Sequence, residues 1–173
     1  MPKVLLALGA NLPGPWGSPA ETLARAQREL RDAGFLLRRV SRTYTTKPLG
    51  LGRQAPYVNA VLKLEVSLAP GAVLRLVKAI ERRAGRRVGR HWGPRCLDID
   101  ILDVAGRRWG RPTARRERGR LILPHPEMHR RAFVLVPLIE VDRHWRHPIL
   151  GLPARALLLE LGPVCRRSVR PVP

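Results

Sequence analysis

The sequence is short of several things, and each shortage closes a class of function. Its two cysteines, Cys96 and Cys165, lie far apart, so neither a disulfide scaffold nor a zinc-thiolate cluster can be built. Aromatic residues are 5% of the chain, too few for a surface that stacks many bases. No apolar run approaches the roughly 18–20 residues that a membrane span needs. The opening MPKVLLALGAN lacks the length and cleavage pattern of a signal peptide, which points to a cytoplasmic protein. No G-x-x-x-x-G-K-S/T occurs, which excludes a P-loop nucleotide site.

What is there is a folding chain with an unusual charge. Its hydrophobic share of 45% and charged share of 27% are those of a soluble folded protein, and 173 residues suffice for one domain with a sizeable core. The net charge of +20 comes almost wholly from arginine, since Lys3, Lys47, Lys63 and Lys78 are the only lysines. Codon composition explains such a bias as readily as function does. The charge concentrates between Arg82 and Arg131, where a field of one sign would attract nucleic acid, a nucleotide or a phosphorylated substrate. A solvated basic face is the plainer alternative, and composition does not choose between them.

Val4–Leu8 reads as a buried strand meeting a turn at Gly9-Ala10-Asn11. Ser18-Pro19-Ala20-Glu21 is a helix start with a capping box, Leu23, Ala26 and Leu30 follow at helical spacing, and Gly34 is the stop. Phe35–Leu49 and Tyr57–Val66 read as extended, the second alternating. Pro70 opens a helix with Val73, Leu76, Val77, Ile80 and Ala84 on one face, and Gly85 ends it. Leu97–Val104 is strand-like. Phe133–Val141 and Leu152–Leu161 are two last helical segments, the first limited by Pro137. The order β-α-β-β-α-β predicts an antiparallel sheet with helices packed on one face, in a single domain. Ala105–Gly119 reads as a polar, arginine-rich loop.

Two of the five aspartates form Leu97-Asp98-Ile99-Asp100-Ile101. On a strand, Asp98 and Asp100 share a face and repel unless cations stand between them, a role two Mg²⁺ ions can fill. Outward arginine pairing on a half-exposed strand explains the same pattern. Upstream, Arg90-His91-Trp92-Gly93-Pro94-Arg95 puts arginines beside the carboxylates, and phosphoryl transfer needs such charge neutralisation and alignment. Asp98→Asn is expected to cut turnover by orders of magnitude with little loss of fold, because it also relieves carboxylate repulsion. His125 and His129 have a zinc-like spacing, but Pro126 intervenes and no third ligand is evident, so His125 is better read as a phosphate donor or a structural histidine. His144 and His147 read as loop residues. Asn59, on the second extended run, offers an amide that donates and accepts, which suits either a heterocycle edge or a local backbone bond.

These segments together resemble the 6-hydroxymethyl-7,8-dihydropterin pyrophosphokinase family. The blocks are LGANL, YTTKPLG, YVNAV, IERRAGR, RHWGPRCLDIDIL and LPHPEMHRRAFVLVPLIEV, in order from Leu6 to about Val141. The resemblance implies a ferredoxin-like α+β fold, two Mg²⁺ ions on Asp98 and Asp100, and transfer of pyrophosphate from ATP to the pterin hydroxymethyl group. It further implies a pterin site at Thr46, Pro48, Leu49, Tyr57, Asn59 and Phe133. ATP is expected near Leu74, Lys78, Glu81, Trp92, Arg95, Ile101, Arg120, His125 and Arg131. Arg95, with Arg86, is expected to stabilise charge at the transferring group. Ile122 stands where some relatives have threonine, and the Arg107–Arg118 stretch has no counterpart in this reading. The glycine-bearing loops Leu49–Pro56 and Gly85–Pro94 are expected to close over both substrates. A monomer with no membrane contact and no specific nucleic acid is expected. The competing class, an RNA-binding βαββαβ module, stacks bases on central-strand aromatics; here Val4–Leu8 has none and Tyr57–Val66 has only Tyr57.

Overall fold

The first helix shows how closely local chemistry sets the elements. Ser18 accepts a bond from the Glu21 N–H, while the Glu21 carboxylate accepts one from the Ser18 N–H at 2.8 Å. This reciprocal cap opens α1 (Pro19–Asp32), and its buried stripe is Thr22, Leu23, Ala26 and Leu30. The computed structural model describes residues 1–47, 54–86, 95–110 and 120–172. Pro48, Leu49 and Trp92 lie outside those residues, as do most of the two loops expected to close and of the Ala105–Gly119 loop.

The remaining elements are β1 (Lys3–Ala10), β2 (Leu36–Val40), β3 (Tyr44–Thr46), β4 (Tyr57–Glu65), α2 (Pro70–Arg83), β5 (Asp98–Val104), α3 (Ala132–Val141), α4 (Ala154–Glu160), α5 (Gly162–Arg167) and β6 (Arg170–Pro171). The sheet runs β5-β1-β4-β3-β6, with β2 also on β4, and its pairings are antiparallel. The predicted order thus stands. The long extended run at Phe35–Leu49 is broken at residues 41–43. There Ser41 takes over the ladder, donating its N–H to Val61 O at 3.0 Å and accepting the Val61 N–H on its hydroxyl at 2.9 Å.

Two cores flank the sheet. Helices α1 and α2 cover the face carrying Val4, Leu6, Leu8, Leu62, Leu64, Ile99 and Ile101. Helices α3 and α4 cover the other face, on Leu5, Val61 and Leu102. Each large apolar side chain fully buried there contributes about 1.5–3 kcal/mol. With cover on both sides, β4 buries Asn59 through Leu62 in succession instead of alternating as predicted. Pro137 does not end the first C-terminal helix. α3 runs through it, and burial on two sides offsets the missing hydrogen bond. The two-residue β6 and the short α5 were not legible, because neither has enough residues for a period to emerge. β1 also extends through Gly9 and Ala10, so the turn begins at Asn11.

Candidate functional site

The register of the central strand assembles the site. Gly9 on β1 is paired with Asn59 on β4 and with Asp98 on β5, and Ala7 is paired with Val61 and Asp100. Paired residues share a face, so Asn59 and both aspartates project to the side that α3 and α4 cover only in part. Two strand spacings separate Asn59 from Asp98, roughly 10 Å. Gly9 keeps the floor between them low: a Cβ there would stand 3.4 Å from Asn59 Oδ1 and 3.9 Å from the Tyr57 ring. A glycine inside a strand signals such close approach, a signal the reading of Gly9 as a turn residue missed.

Ile99 and Ile101 point into the opposite core, as the alternation predicted. The Ile101 side chain is therefore turned away from the aspartates, and only its backbone can face a ligand on their side. Both oxygens of Asp98 are engaged. Arg86 donates to Oδ1 at 2.5 Å, and Arg95 donates to Oδ2. Burial works against the Asp98 charge, but these guanidiniums, with Lys78, outweigh it and hold the carboxyl below its usual range. Asp98→Asn, expected to cost little of the fold, therefore also takes the charge partner from two cations. Asp100 faces Arg131 at 3.3 Å and His125 Nε2 at 3.7 Å.

Behind Asp98 stands Glu81, 1% exposed on α2. It accepts the Ile99 N–H at 2.8 Å, contacts Arg86, and has Lys78 Nζ 2.8 Å from its other oxygen. Burial raises its carboxyl above the ordinary value despite both cations. Leu74, one turn before Lys78, packs on the α1/α2 core. His125 accepts the Glu127 N–H on Nδ1 at 3.2 Å, which leaves Nε2 as the nitrogen that carries the proton of the neutral ring. Burial lowers its pKa, so the neutral form prevails near pH 7. His129 lies elsewhere, edge-on to the His147 ring with centroids 5.8 Å apart. His147 is buried, not a bland loop residue, and its Nδ1 accepts the N–H groups of Ile149 and Leu150.

On the other side, Asn59 donates to the Thr46 hydroxyl at 2.9 Å and is 6% exposed. Tyr57 is half-buried, and burial raises its pKa. Phe133 lies in the first turn of α3, with the Arg131 guanidinium 5.8 Å from its ring centroid. Arg120 is exposed at the start of a described segment.

Asn11 is the residue sequence reasoning left without a role. It is 2% exposed, and its Oδ1 accepts the Arg95 N–H at 2.8 Å. Its Nδ2 donates to Ala55 O at 3.2 Å, and its own N–H donates to Arg95 O at 3.1 Å. One amide thereby ties the segment before β4 to the segment before β5. Only its place in LGANL, directly after a strand, could have marked it.

Asp98 and Asp100 supply hard oxygen donors of the kind Mg²⁺ takes. Among the described residues no three His, Cys, Asp or Glu side chains are placed to hold a metal ion together. The carboxylate pair itself fits Mg²⁺, which keeps several waters and takes phosphate oxygens as further ligands. Charge neutralisation and alignment are what this arrangement supplies, and they are the requirement of phosphoryl-type transfer. The fold and the site define a phosphotransferase class.

The sequence profile of the 7,8-dihydro-6-hydroxymethylpterin-pyrophosphokinase family matches residues 5–143. The 2-amino-4-hydroxy-6-hydroxymethyldihydropteridine pyrophosphokinase of Mycobacterium tuberculosis is 37% identical over 177 residues, covering 98% of this chain and 89% of that one. The enzyme of the same name from Haemophilus influenzae is 40% identical over 157 residues, covering 90% and 88%. Among solved structures, the Plasmodium falciparum HPPK-DHPS protein with SDX-DHP shares the fold, with a TM-score of 0.68 at 13% identity. That match covers 92% of this chain and 44% of the Plasmodium chain. The chain belongs to the 6-hydroxymethyl-7,8-dihydropterin pyrophosphokinase family. It is an ATP-dependent diphosphotransferase of folate biosynthesis, passing a pyrophosphoryl group from ATP to hydroxymethyldihydropterin. No helix among the described residues is long and apolar enough to cross a membrane.

Proposed function

We propose a division of the site along the sheet, with the pterin over β4 and the polyphosphate over β5. The observation that supports it is the row Asn59-Gly9-Asp98 across three adjacent strands, with no side chain on the middle residue. Asn59, held by Thr46, presents its amide to the pterin edge, with backbone groups of Thr46, Pro48 and Leu49 beside it. Tyr57 and Phe133 enclose the ring. Leu74, Lys78, Glu81, Trp92, Ile101, Arg120, His125 and Arg131 form the surroundings of ATP, Ile101 through its backbone. Asp98 and Asp100 hold two Mg²⁺ ions, which when bound neutralise and align the phosphates.

Release of AMP with transfer of the whole pyrophosphoryl group fixes the bonds that change. The hydroxymethyl oxygen bonds to the β-phosphorus, the bond from that phosphorus to the α–β bridging oxygen breaks, and AMP departs with the electron pair. The hydroxymethyl proton is lost to solvent. Arg95 and Arg86 stabilise charge on the transferring group, and His125 donates from Nε2 to a phosphate oxygen. No covalent intermediate on the protein is needed, since the acceptor attacks directly. The protein works as a single-domain monomer in the cytoplasm, without a specific nucleic acid, its basic surface serving anionic substrates.

The test is AMP release from Mg-ATP with and without 6-hydroxymethyl-7,8-dihydropterin. Pterin-dependent AMP, abolished by Asp98→Asn and weakened at the pterin KM by Asn59→Ala, is the expected result. An Asn59→Ala effect on ATP but not on pterin would refute the division.

A further inference from the structure

We propose that a groove between α3, α4 and α5 is a second binding site, for a small amphipathic anion with a short apolar body and one carboxylate head.

The first ground is the shape that two helical stripes make. On α3, Val136, Ile139 and Glu140 stand three and four residues apart, and on α4 Arg155, Leu158 and Leu159 repeat that spacing. Each helix so turns one stripe to the groove, while Leu135, Leu138 and Leu157 go to the core beneath. Tyr44 of β3 and Arg166 of α5 complete the walls. The space is about 420 Å³, and small-ligand sites run roughly 300–1,000 Å³. Leu159 is 62% exposed, so apolar surface stands uncovered at the mouth.

The second ground is an unbalanced charge. Glu140 is already taken by Arg42, whose N–H donates to Oε2 at 2.8 Å and whose Nε–H donates to Oε1 at 2.9 Å. The Tyr44 hydroxyl donates to the same Oε1. That leaves Arg155 and Arg166, and among the described residues neither forms an ion pair. Two guanidiniums beside an apolar lining ask the ligand to bring the negative charge, and a carboxylate matches their planar forks. A cationic ligand is repelled there.

The third ground is extent. The apolar strip spans one turn of each helix and ends at charged side chains. That suits one short chain with one head, and it falls short of the roughly 800 Å² per partner of a stable protein interface. None of the groove residues is among those assigned above to pterin, ATP or Mg²⁺.

The probe is octanoate, titrated calorimetrically into the protein, with octylammonium and 1-octanol as charge controls. Octanoate is expected to bind, and both controls to bind at least about tenfold more weakly, the scale of one charge-assisted contact. Arg155→Gln combined with Arg166→Gln should weaken octanoate about tenfold or more, and Leu159→Asp should do so from the apolar side. Arg155 and Leu159 are exposed, so Arg155→Gln alone and Leu159→Asp leave the core intact. Pterin-dependent AMP release by these two variants, without octanoate, should match the wild type. Saturating α,β-methylene-ATP with Mg²⁺ should leave octanoate affinity unchanged; displacement would put octanoate in the nucleotide site and overturn the proposal. Equal binding of the three amphiphiles, or octanoate binding that survives the arginine and leucine changes, overturns it too. So does a failure of octanoate to bind at millimolar concentration. If an acidic amphipathic helical peptide binds in its place, the groove belongs to a protein partner and the small-anion assignment falls.

Discussion

Asn11→Ala tests whether one buried amide holds the site together. The substitution removes the acceptor of the Arg95 N–H at 2.8 Å and the donor to Ala55 O at 3.2 Å. Ala55 is exposed, so water can replace its lost bond at little cost. The Arg95 N–H is part-buried and loses its partner outright, which costs about 1–3 kcal/mol. For a chain of this size that lowers the melting temperature by roughly 2–12 °C. The effect on turnover should be larger. The Arg95 carbonyl stays bonded to the Asn11 and Leu12 N–H groups, but with the N–H side released the Arg95 guanidinium shifts, and a displacement of about 1 Å can cost on the order of 100-fold in rate. Asn11→Asp separates the two bonds, because it keeps the acceptor for Arg95 and loses the donor to Ala55. Thermal unfolding and steady-state AMP release measure both terms. If Asn11→Ala leaves melting temperature and kcat unchanged, the amide is not a tether and the reasoning fails. If Asn11→Asp is as slow as Asn11→Ala, the tether to the Ala55 side matters more than the one to Arg95.

Other substitutions probe separate parts of the site. Asp98→Asn should abolish pterin-dependent AMP release and also lower stability by about 1–3 kcal/mol, since two guanidiniums lose their charge partner; chemical denaturation measures the second effect. The native Asp98 carboxyl is held below its ordinary value of 3.8, so its contribution is present above that value and lost as pH falls through the native pKa. Denaturation midpoints should therefore fall on acidification below about pH 4 in the wild type, and fall less in Asp98→Asn. Glu81→Leu should cost about 3–5 kcal/mol by leaving Arg86, Lys78 and the Ile99 N–H without their shared acceptor, whereas Glu81→Gln keeps an acceptor for Ile99 and should melt closer to wild type. Gly9→Val should raise the pterin KM well above its effect on the ATP KM, because the new side chain fills the floor between Asn59 and Asp98; equal effects on both would count against the proposed pterin position.

The sequence disclosed most where chemistry is local and least where a partner comes from far along the chain. The α1 cap lies within four residues, and the predicted capping box is the one observed. The outward pair Asp98 and Asp100 follows from strand alternation, and Ile99 and Ile101 are buried on the other face as that rule requires. The same rule failed on β4. Alternation assumes one wet face, and α3 arrives from more than 70 residues later to cover the second. Distance in sequence also hid Asn11, which meets Arg95 across 84 positions and has no charge to advertise itself. The aspartate pair illustrates the point most sharply. Read alone, two carboxylates one pleat apart ask only for a cation. The fold answers with Arg86, Arg95 and Arg131, two of them within 12 residues of Asp98 and one 31 residues beyond Asp100. Arg86 also has the buried carboxylate of Glu81 behind it, which depends on Glu81 reaching from α2 to the β5 backbone. The second partner of Arg86 is thus supplied by a helix-to-strand contact that neither segment reveals by itself.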